Sequence, residues 1–467
     1  MDTKKLRQKI LDLAIHGKLV PQDPNDEPAS VLLERIRAEK EQLIKEGKIK
    51  APKKSKSAGD TSHYPKEVPF EVPKGWVWCS FPAVAELISG QDFPPEKYNS
   101  SAKGIPYIIG ASNIEDGHLR ISRWTEYPSV LSQKGDVLVV CKGAGVGKVA
   151  VNDIGTVHIA RQIQAVRIQD EIVSSDFMRI LIDWCVPSIV TQANGLIPGL
   201  KRELLLNVLL PIPPRNEQDL IVSTLCGAFD IIKGMEVEHF KLEDDIRKSR
   251  ERVLELAISG KLVPQDPSEE PAIELLRRIN PGFIPSHNLH YEGELPNGWC
   301  FSTIGDLFQH NTGKALNGKD QVGEELRYIT TSNLYWDRFD LNEVRTMPFT
   351  EAEKEKCRAT KGDLLVCEGG DIGRAAIWPY DFDVMIQNHI HRLRPREDIS
   401  VRFYYYIFLL YKQMGLIGGK GIAILGLSSR ELDKMVVPVP PVPEQHRIVT
   451  VIENLFAQMD ALTSNLS

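Results

Sequence analysis

The chain has 467 residues, more than one ordinary domain holds, and its 42% apolar share is normal for a folded globular protein. The formal net charge of −6 gives no overall attraction for nucleic acid, so any such binding would depend on charge gathered on one face. No stretch approaches the ~20 apolar residues of a membrane span, and the N-terminal sequence does not have the form of a signal peptide. The seven cysteines are scattered without a C-x-x-C pair. This spacing predicts a reducing, cytoplasmic location and argues against a disulfide framework or a zinc site.

A segment near the start of the chain is repeated past its middle. Residues 13–29 read LAIHGKLVPQDPNDEPA and residues 256–272 read LAISGKLVPQDPSEEPA, so that three of the 17 positions differ. The first copy is followed by about 20 additional residues that are rich in lysine. We expect a helical extension that runs into a solvated linker, with a basic arm that touches DNA as the alternative.

Two variable blocks, residues 64–210 and 291–437, separate the repeated segments. Each begins with P-x-G-W, continues through K-G-D-[VL]-L and a glycine turn, and ends in P-[IV]-P-P-x-x-E-Q. Strand patterns followed by a helical pattern predict an α+β domain of about 150 residues in each block. The resulting domain prediction is an N-terminal helical segment (1–36), a Lys-rich insert (37–63), a first domain (64–213), a central long helix with its cap (214–280), a second domain (281–440) and a C-terminal helix (441–467).

A long helix is predicted at residues 216–259. Apolar residues recur there three or four positions apart with a charged opposite face, as in a coiled coil, and Asn216 is the expected N-cap. The pattern weakens at residues 236–240, which predicts a potential break or kink there. If fully helical, the segment spans ~65 Å.

The order of these segments is that of a circularly permuted tandem repeat. The C-terminal segment and the first 13 residues together nearly match the length of the central helix. We therefore expect the two termini to be adjacent and to complete a second long helix. Pseudo-two-fold symmetry then predicts two long antiparallel helices between two α+β domains.

The motifs that could indicate catalysis are weak. KGAGVGKV (142–149) lacks the first glycine and the Ser or Thr of a phosphate-binding loop, and its second copy has Arg374 in place of Lys148. We predict a glycine turn between strands, with these two basic residues as candidates for phosphate contacts. NHIH (388–391) corresponds to RQIQ in the first block, which favours polar strand residues over a metal site.

The two divergent blocks, the two near-identical helical segments and their permuted order together resemble the specificity (S) subunit of type I restriction–modification systems. The resemblance covers nearly the whole chain and implies two α+β target recognition domains separated by a pair of long antiparallel, coiled-coil-like helices. It implies that each domain reads one half of an asymmetric bipartite DNA target. The helices would set the spacing and dock two methyltransferase (M) subunits, and restriction (R) subunits would join this core.

The resemblance also implies a non-catalytic chain without a cofactor or metal of its own. Partner subunits would use S-adenosylmethionine, ATP and Mg. Two other classes remain open from the residues alone: a stand-alone DNA-binding protein with two reading heads, and an enzyme that uses the glycine turn for a nucleotide.

Candidate DNA contacts are polar and basic residues in the segments where the two blocks differ, together with residues at the glycine turns, because such side chains read base edges and hold phosphates. Serine-asparagine pairs recur in both blocks, so shared loop structure is the alternative for Ser112, Asn113, Ser332 and Asn333. The candidates in the first block are Gln91, Lys97, Tyr98, Ser112, Asn113, Lys142, Lys148 and Gln162. The candidates in the second block are Lys314, Lys319, Thr331, Ser332, Asn333, Arg374, Asn388 and His389.

Overall fold

The structure is a computed structural model that describes residues 2–46, 68–143, 145–168, 171–192, 199–286, 294–315, 322–417 and 427–464. The chain forms two compact units, residues 1–238 and 239–467, called here the first and second unit. Each contains both helices and sheets, as the α+β prediction requires.

The first unit places one sheet-rich block between helices. Its helices are α1 (Thr3–Ile15), α2 (Ala29–Lys45), α3 (Phe81–Val84), α4 (Ser175–Gln192) and α5 (Arg202–Leu206). Its strands are β1 (Val77–Ser80), β2 (Ala85–Ser89), β3 (Ile105–Ile108), β4 (Ile114–Glu115), β5 (His118–Leu119), β6 (Trp124–Thr125), β7 (Leu131–Ser132), β8 (Val137–Val140), β9 (Val149–Val151), β10 (Val157–Ile159), β11 (Ile163–Ile168) and β12 (Leu209–Ile212).

The long helix α6 (Arg215–Ile258) begins in the first unit and ends in the second. It is continuous over 44 residues, so the potential break at residues 236–240 is absent. That stretch lacks buried apolar residues, but it contains neither proline nor glycine, and the backbone hydrogen bonds of the helix continue through it. The helix begins at Arg215, and the Asn216 amide donates to Asp26 at 2.8 Å, so the predicted N-cap role of Asn216 is wrong.

The second unit repeats the arrangement of the first. Its helices are α7 (Ala272–Ile279), α8 (Ile304–Leu307), α9 (Glu351–Cys357), α10 (Val401–Gln413), α11 (Ser429–Asp433) and α12 (Val442–Ser464). Its strands are β13 (Cys300–Thr303), β14 (Phe308–Thr312), β15 (Glu324–Ile329), β16 (Leu334–Tyr335), β17 (Arg338–Phe339), β18 (Arg345–Phe349), β19 (Arg358–Ala359), β20 (Leu364–Cys367), β21 (Ala375–Ile377), β22 (Val384–Ile386), β23 (Ile390–Pro395) and β24 (Val436–Val439).

The sheets of the two units have the same strand order. An antiparallel sheet β2-β11-β8-β9 corresponds to β14-β23-β20-β21, and a mixed sheet β6-β3-β10-β7 corresponds to β18-β15-β22-β19. In both mixed sheets one central pair is parallel, β3 with β10 and β15 with β22. The first and last strands of each block also pair, β1 with β12 and β13 with β24, so that each block begins and ends at one place.

A fully buried strand divides two hydrophobic cores in each unit. In β8, Val137 and Val139 pack with the helices, while Leu138 and Val140 pack between the two sheets. In β20, Leu364 and Val366 face the helices and the alternate residues face the other sheet. Side chains alternate between the faces of a strand, so a strand covered on both sides must be apolar throughout.

The Lys-rich insert is partly described. Helix α2 has 17 residues against 8 in α7, so the expected helical extension is present up to Lys45. Residues 47–63 of the insert and the candidate contact Lys319 lie outside the described residues. Within the described ranges, no helix is both long enough and apolar enough to cross a membrane.

Candidate nucleic-acid interface

The glycine turn of the first unit joins the antiparallel strands β8 and β9, as predicted. Gly143 and Gly147 have φ of 90° and 93°, a conformation that L side chains rarely adopt. The turn packs against the loop after β3, because a Cβ on Gly145 would overlap Ala111. The backbone N–H of Cys141 donates to the Gln162 carbonyl at 2.7 Å, which fixes Gln162 beside the turn.

Four of the predicted contacts of the first unit therefore share one exposed edge. They lie in the loop after β3, in the glycine turn and at the start of β11, and they are Ser112, Lys142, Lys148 and Gln162. Lys148 also contributes to the fold, because its Nζ donates to the Ile114 carbonyl at 3.5 Å.

The segment that contains Gln91, Lys97 and Tyr98 is connected to the same edge through Arg161. The carboxylate of Asp92 accepts a hydrogen bond of 2.9 Å from the Arg161 backbone N–H and forms a 3.2 Å ion pair with its side chain. Gln91 is exposed and receives a hydrogen bond of 3.1 Å from the Ser129 hydroxyl.

The aromatic rings of this segment partly enclose two of the predicted contacts. The Lys97 ammonium lies 5.9 Å from the centre of the Tyr127 ring, and the half-buried Tyr98 packs 5.6 Å from Tyr107. These contacts hold Lys97 and Tyr98 close to the sheet while Lys97 stays exposed.

The second unit builds the corresponding edge with different side chains. The Glu368 N–H donates to the His389 carbonyl at 2.9 Å, and His389 is exposed beside Gly369. Arg374 donates to the Thr331 carbonyl at 2.6 Å and lies over the ring of Tyr335 at 5.2 Å. The structure thus groups Thr331, Ser332, Arg374, Asn388 and His389, of which Ser332 and His389 are exposed.

Three of the predicted contacts point into the fold. Asn113 is 1% exposed, and its amide group bonds the Ile109 N–H at 2.9 Å and the Arg120 carbonyl at 2.8 Å. Asn333 makes the matching bonds to the Thr330 N–H and the Asp340 carbonyl, both at 2.9 Å. These groups support the shared-loop alternative for both asparagines.

Lys314 also lies inside the protein. Its Nζ donates to the Pro348 carbonyl at 2.8 Å and to Glu353 at 2.9 Å. A buried ammonium held in this way is not available to DNA unless the loop rearranges.

The two histidines of NHIH lie in different environments. His391 is fully buried, and its Nδ1 lies 2.9 Å from Nε2 of His310 while its Nε2 lies 2.7 Å from the Leu427 carbonyl. Burial lowers the pKa of His391 to about 4, so the ring is neutral near pH 7. His310 in turn lies 2.7 Å from Asp433, and this series of contacts joins β14 and β23 to α11.

In each unit the repeated motifs contact one another at a single place, called here the junction. In the first unit, Glu217 accepts hydrogen bonds of 2.9 Å from the Trp76 indole and 3.2 Å from Gln22. In the second, Glu444 accepts bonds of 3.0 Å from Trp299 and 3.1 Å from Gln265. Burial raises the pKa of both carboxyl groups, while the two donors act in the opposite direction.

The glutamine of each E-Q pair completes the junction. Gln218 accepts from the Ser174 N–H and Gln445 accepts from the Ser400 N–H, both at 2.9 Å, just before α4 and α10. The repeated glycines are also closely packed at the junction. A Cβ on Gly17 would overlap Pro73, and a Cβ on Gly260 would overlap Pro296. The repeated sequences thus attach each block to the helices.

Helices pack antiparallel within each unit. In the first, α1 lies along α6: Arg7 stacks on Phe229 at 5.2 Å and pairs with Glu236 at 3.2 Å. In the second, α12 lies along the end of α6, where Arg250 stacks on Phe456 at 5.1 Å and pairs with Asp460. The repeated Arg-Phe contact and the junction bonds at the other end fix the antiparallel direction in both cases.

Residues 296–467 match the family model described as the type I restriction modification DNA specificity domain. The chain is also 26% identical to the type I restriction enzyme EcoEI specificity subunit of Escherichia coli, over 99% of this chain and 90% of that protein. The chain is thus similar to a type I restriction–modification specificity subunit over nearly its whole length. The EcoAI specificity subunit of Escherichia coli is likewise 26% identical, over 98% of this chain and 90% of its own length.

Two solved structures share the fold of this chain. The HsdS subunit from Thermoanaerobacter tengcongensis has a TM-score of 0.54 and 17% identity over 86% of this chain and 94% of that one. A chain from "Structural basis underlying complex assembly and conformational transition of the type I R-M system" has a TM-score of 0.56 and 17% identity, over 85% of this chain and 94% of that one.

Some residues of these sites are not among those predicted from the sequence. Arg161 is exposed beside Gln162 and corresponds to the candidate Asn388, so the alignment of RQIQ with NHIH could have identified it. Only the repetition of the motif indicated that Glu217 and Glu444 are important. Their hydrogen bonds could not be predicted, because a motif does not show which of its groups are buried.

Proposed function

We propose that this chain is a specificity subunit that reads an asymmetric bipartite DNA target, one half with each unit. The proposal depends mainly on one observation: the same strand order and the same junctions present different exposed side chains beside the glycine turns. Gln162 and His389 occupy equivalent places, since the residue before each turn bonds their carbonyls in the same way. Equal scaffolds with unlike side chains favour two different half-sites.

The identity of the repeated segments supports docking of two M subunits. Six pairs of identical residues are exposed in both copies of the repeated segment: Lys18/Lys261, Pro21/Pro264, Asp23/Asp266, Pro24/Pro267, Glu27/Glu270 and Pro28/Pro271. Two equal surfaces suit two copies of one partner. In this proposal the partners, M and R subunits in the cytoplasm, use S-adenosylmethionine, ATP and Mg, while this chain selects the DNA.

The helices act as a spacer in this proposal. Half-sites read from one face of DNA lie about one turn, ~34–36 Å, apart, which a helix of ~65 Å can span. Removing one heptad from α6 and a matched heptad from α12 shortens the spacer by ~10 Å, or about three base pairs.

The test is to co-express the chain with its M subunit and to map methylated DNA by sequencing. We expect a two-part motif with a fixed spacer, and the heptad deletions should shorten the spacer while leaving both half-sites unchanged. Deleting seven residues from the Lys-rich insert is the control, which should leave the spacer as it was. Retained methylation with an unaltered spacer in the heptad variant would contradict the proposal, and specific DNA binding without M association would indicate a stand-alone reader.

A further inference from the structure

A hairpin of the second unit is linked to helix α10 by an arginine that lies on that helix, Arg402. Strands β16 and β17 are joined by Trp336 and Asp337, and Asp337 has a φ of 56°, which few residues other than glycine adopt. Both carboxylate oxygens of Asp337 accept from Arg402, one of them at 2.6 Å. Such a two-point contact fixes orientation as well as distance.

The same guanidinium reaches helix α12. Arg402 Nε donates to Glu453 at 3.0 Å, so one side chain joins the hairpin to α12. The guanidinium also lies over the rings of Tyr405 and Tyr406, at 4.7 and 5.1 Å, and its side chain is 27% exposed. The rings limit the freedom of the arginine, and we call Asp337, Arg402 and Glu453 the clamp.

The hairpin is in turn connected to the candidate interface. Tyr335 lies beneath Arg374 at 5.2 Å and Arg338 at 4.4 Å. Arg374 holds the carbonyl of Thr331, next to the exposed Ser332. Contacts thus run without a gap from helix α12 through the clamp and hairpin to the loop proposed to face DNA.

The first unit makes the same kind of connection with other residues. Asp116, in the turn between β4 and β5, has a φ of 49° and pairs with Lys233 of α6 at 2.9 Å. Both side chains of this pair are more than 60% exposed, whereas those of the clamp are at most 50% exposed. In both units a turn aspartate pairs with a basic residue and so connects the hairpin to a long helix, even though the basic residues occupy different sequence positions.

We infer that Arg402 is a positioning residue that fixes the second recognition domain on its spacer helix and so sets how strictly spacer length is enforced. The inference rests on the proposed function. A loosened domain still reads its half-site with unchanged loops, but it can reach half-sites displaced along the DNA. Loosening the clamp should therefore widen the range of spacer lengths that the complex accepts without changing the half-site sequence that either domain prefers.

The experiment maps methylation by the complex of M with the Arg402→Gln or Asp337→Asn variant. We expect sites with a spacer one base pair longer or shorter to gain roughly tenfold in relative methylation, equivalent to about 1.4 kcal/mol, with both half-sites unchanged. Asp337→Asn leaves Arg402 on Glu453 and on the tyrosine rings, so it tests the clamp even if Arg402→Gln does not fold. Arg402→Lys keeps the charge without the two-point contact and should be intermediate.

Lys233→Gln is the matched control in the first unit, with a smaller expected effect because its ion pair is exposed. The role of the clamp would be overturned if the folded Asp337→Asn protein methylated sites with the same distribution of spacer lengths as wild type. It would also be overturned if methylation fell equally at sites of every spacer length. A wild-type complex without any two-part motif would overturn the proposed function, and this inference with it.

Discussion

Trp76 donates a hydrogen bond of 2.9 Å to Glu217 across 141 residues of sequence. Trp299 and Glu444 repeat the bond at 3.0 Å in the second unit. The indole comes from the start of a variable block and the carboxylate from the helix that follows its end. The bond therefore closes each block at its base, together with the pairing of its first and last strands.

Replacing Glu217 with glutamine should destabilise the first unit by about 1–3 kcal/mol. The two carboxylate oxygens accept from two different donors, Trp76 and Gln22, whereas an amide offers one oxygen and sets an NH2 group against the other donor. Denaturant unfolding measures the change. Asp230→Asn, an exposed carboxylate on the same helix, is the control and should remain within ~0.5 kcal/mol of wild type; equal effects of the two would count against the junction.

Acid should weaken the second unit through His391. Because the folded pKa is lowered to about 4 from 6.5, the unfolded chain binds the proton more readily, and stability present above pH 6.5 is lost as pH falls toward 4. The loss is at most about 3 kcal/mol. Comparing unfolding midpoints at pH 7.5 and 5 should show a smaller pH effect for His391→Gln, which places the residue of the equivalent position Gln164 there. An unchanged pH effect in the variant would be evidence against this role of His391.

Gln162 should determine one base of the first half-site. A glutamine can contact adenine through two hydrogen bonds, and losing such a contact costs about 1–3 kcal/mol in discrimination. In methylation mapping, Gln162→Ala should relax one position of the first half-site and His389→Ala one position of the second. Gln133→Ala changes an exposed glutamine at the opposite end of β8 and should alter neither half; relaxation in the wrong half would refute the assignment.

Lys142 and Lys148 should contribute to the salt dependence of DNA binding. If each lysine neutralises one phosphate, its replacement by alanine makes the negative slope of log binding constant against log salt concentration shallower by ~0.9. Binding of the S–M complex to its target at several salt concentrations gives this slope. Lys134→Ala, at the other end of β8, is the control and should leave the slope unchanged. Identical slopes for all three variants and the wild type would exclude phosphate contacts at the turn.

The repeated motifs predicted the α+β class, the long helix and the glycine turns, because periodicity and turn residues are local signals. Burial is not local, which is why Asn113 and Asn333 were selected among the DNA contacts although the structure places them inside their loops. The clamp had no signal at all, since Arg402 and Lys233 occupy unrelated positions of the two repeats. Adjacent termini remain a prediction from segment order.

The close packing of Gly17 against Pro73, and of Gly260 against Pro296, bears on how new specificities arise. A block that begins with Pro-x-Gly-Trp and ends in Glu-Gln can make the same contacts with the repeated glycine and glutamine, and the same bond from tryptophan to carboxylate, in either unit. If each block reads one half-site, as proposed, recombination at these sequences exchanges a whole recognition domain between chains of different preference. The repeated helical segments would be inherited unchanged, so under the proposed function one exchange would replace half of the recognised DNA sequence.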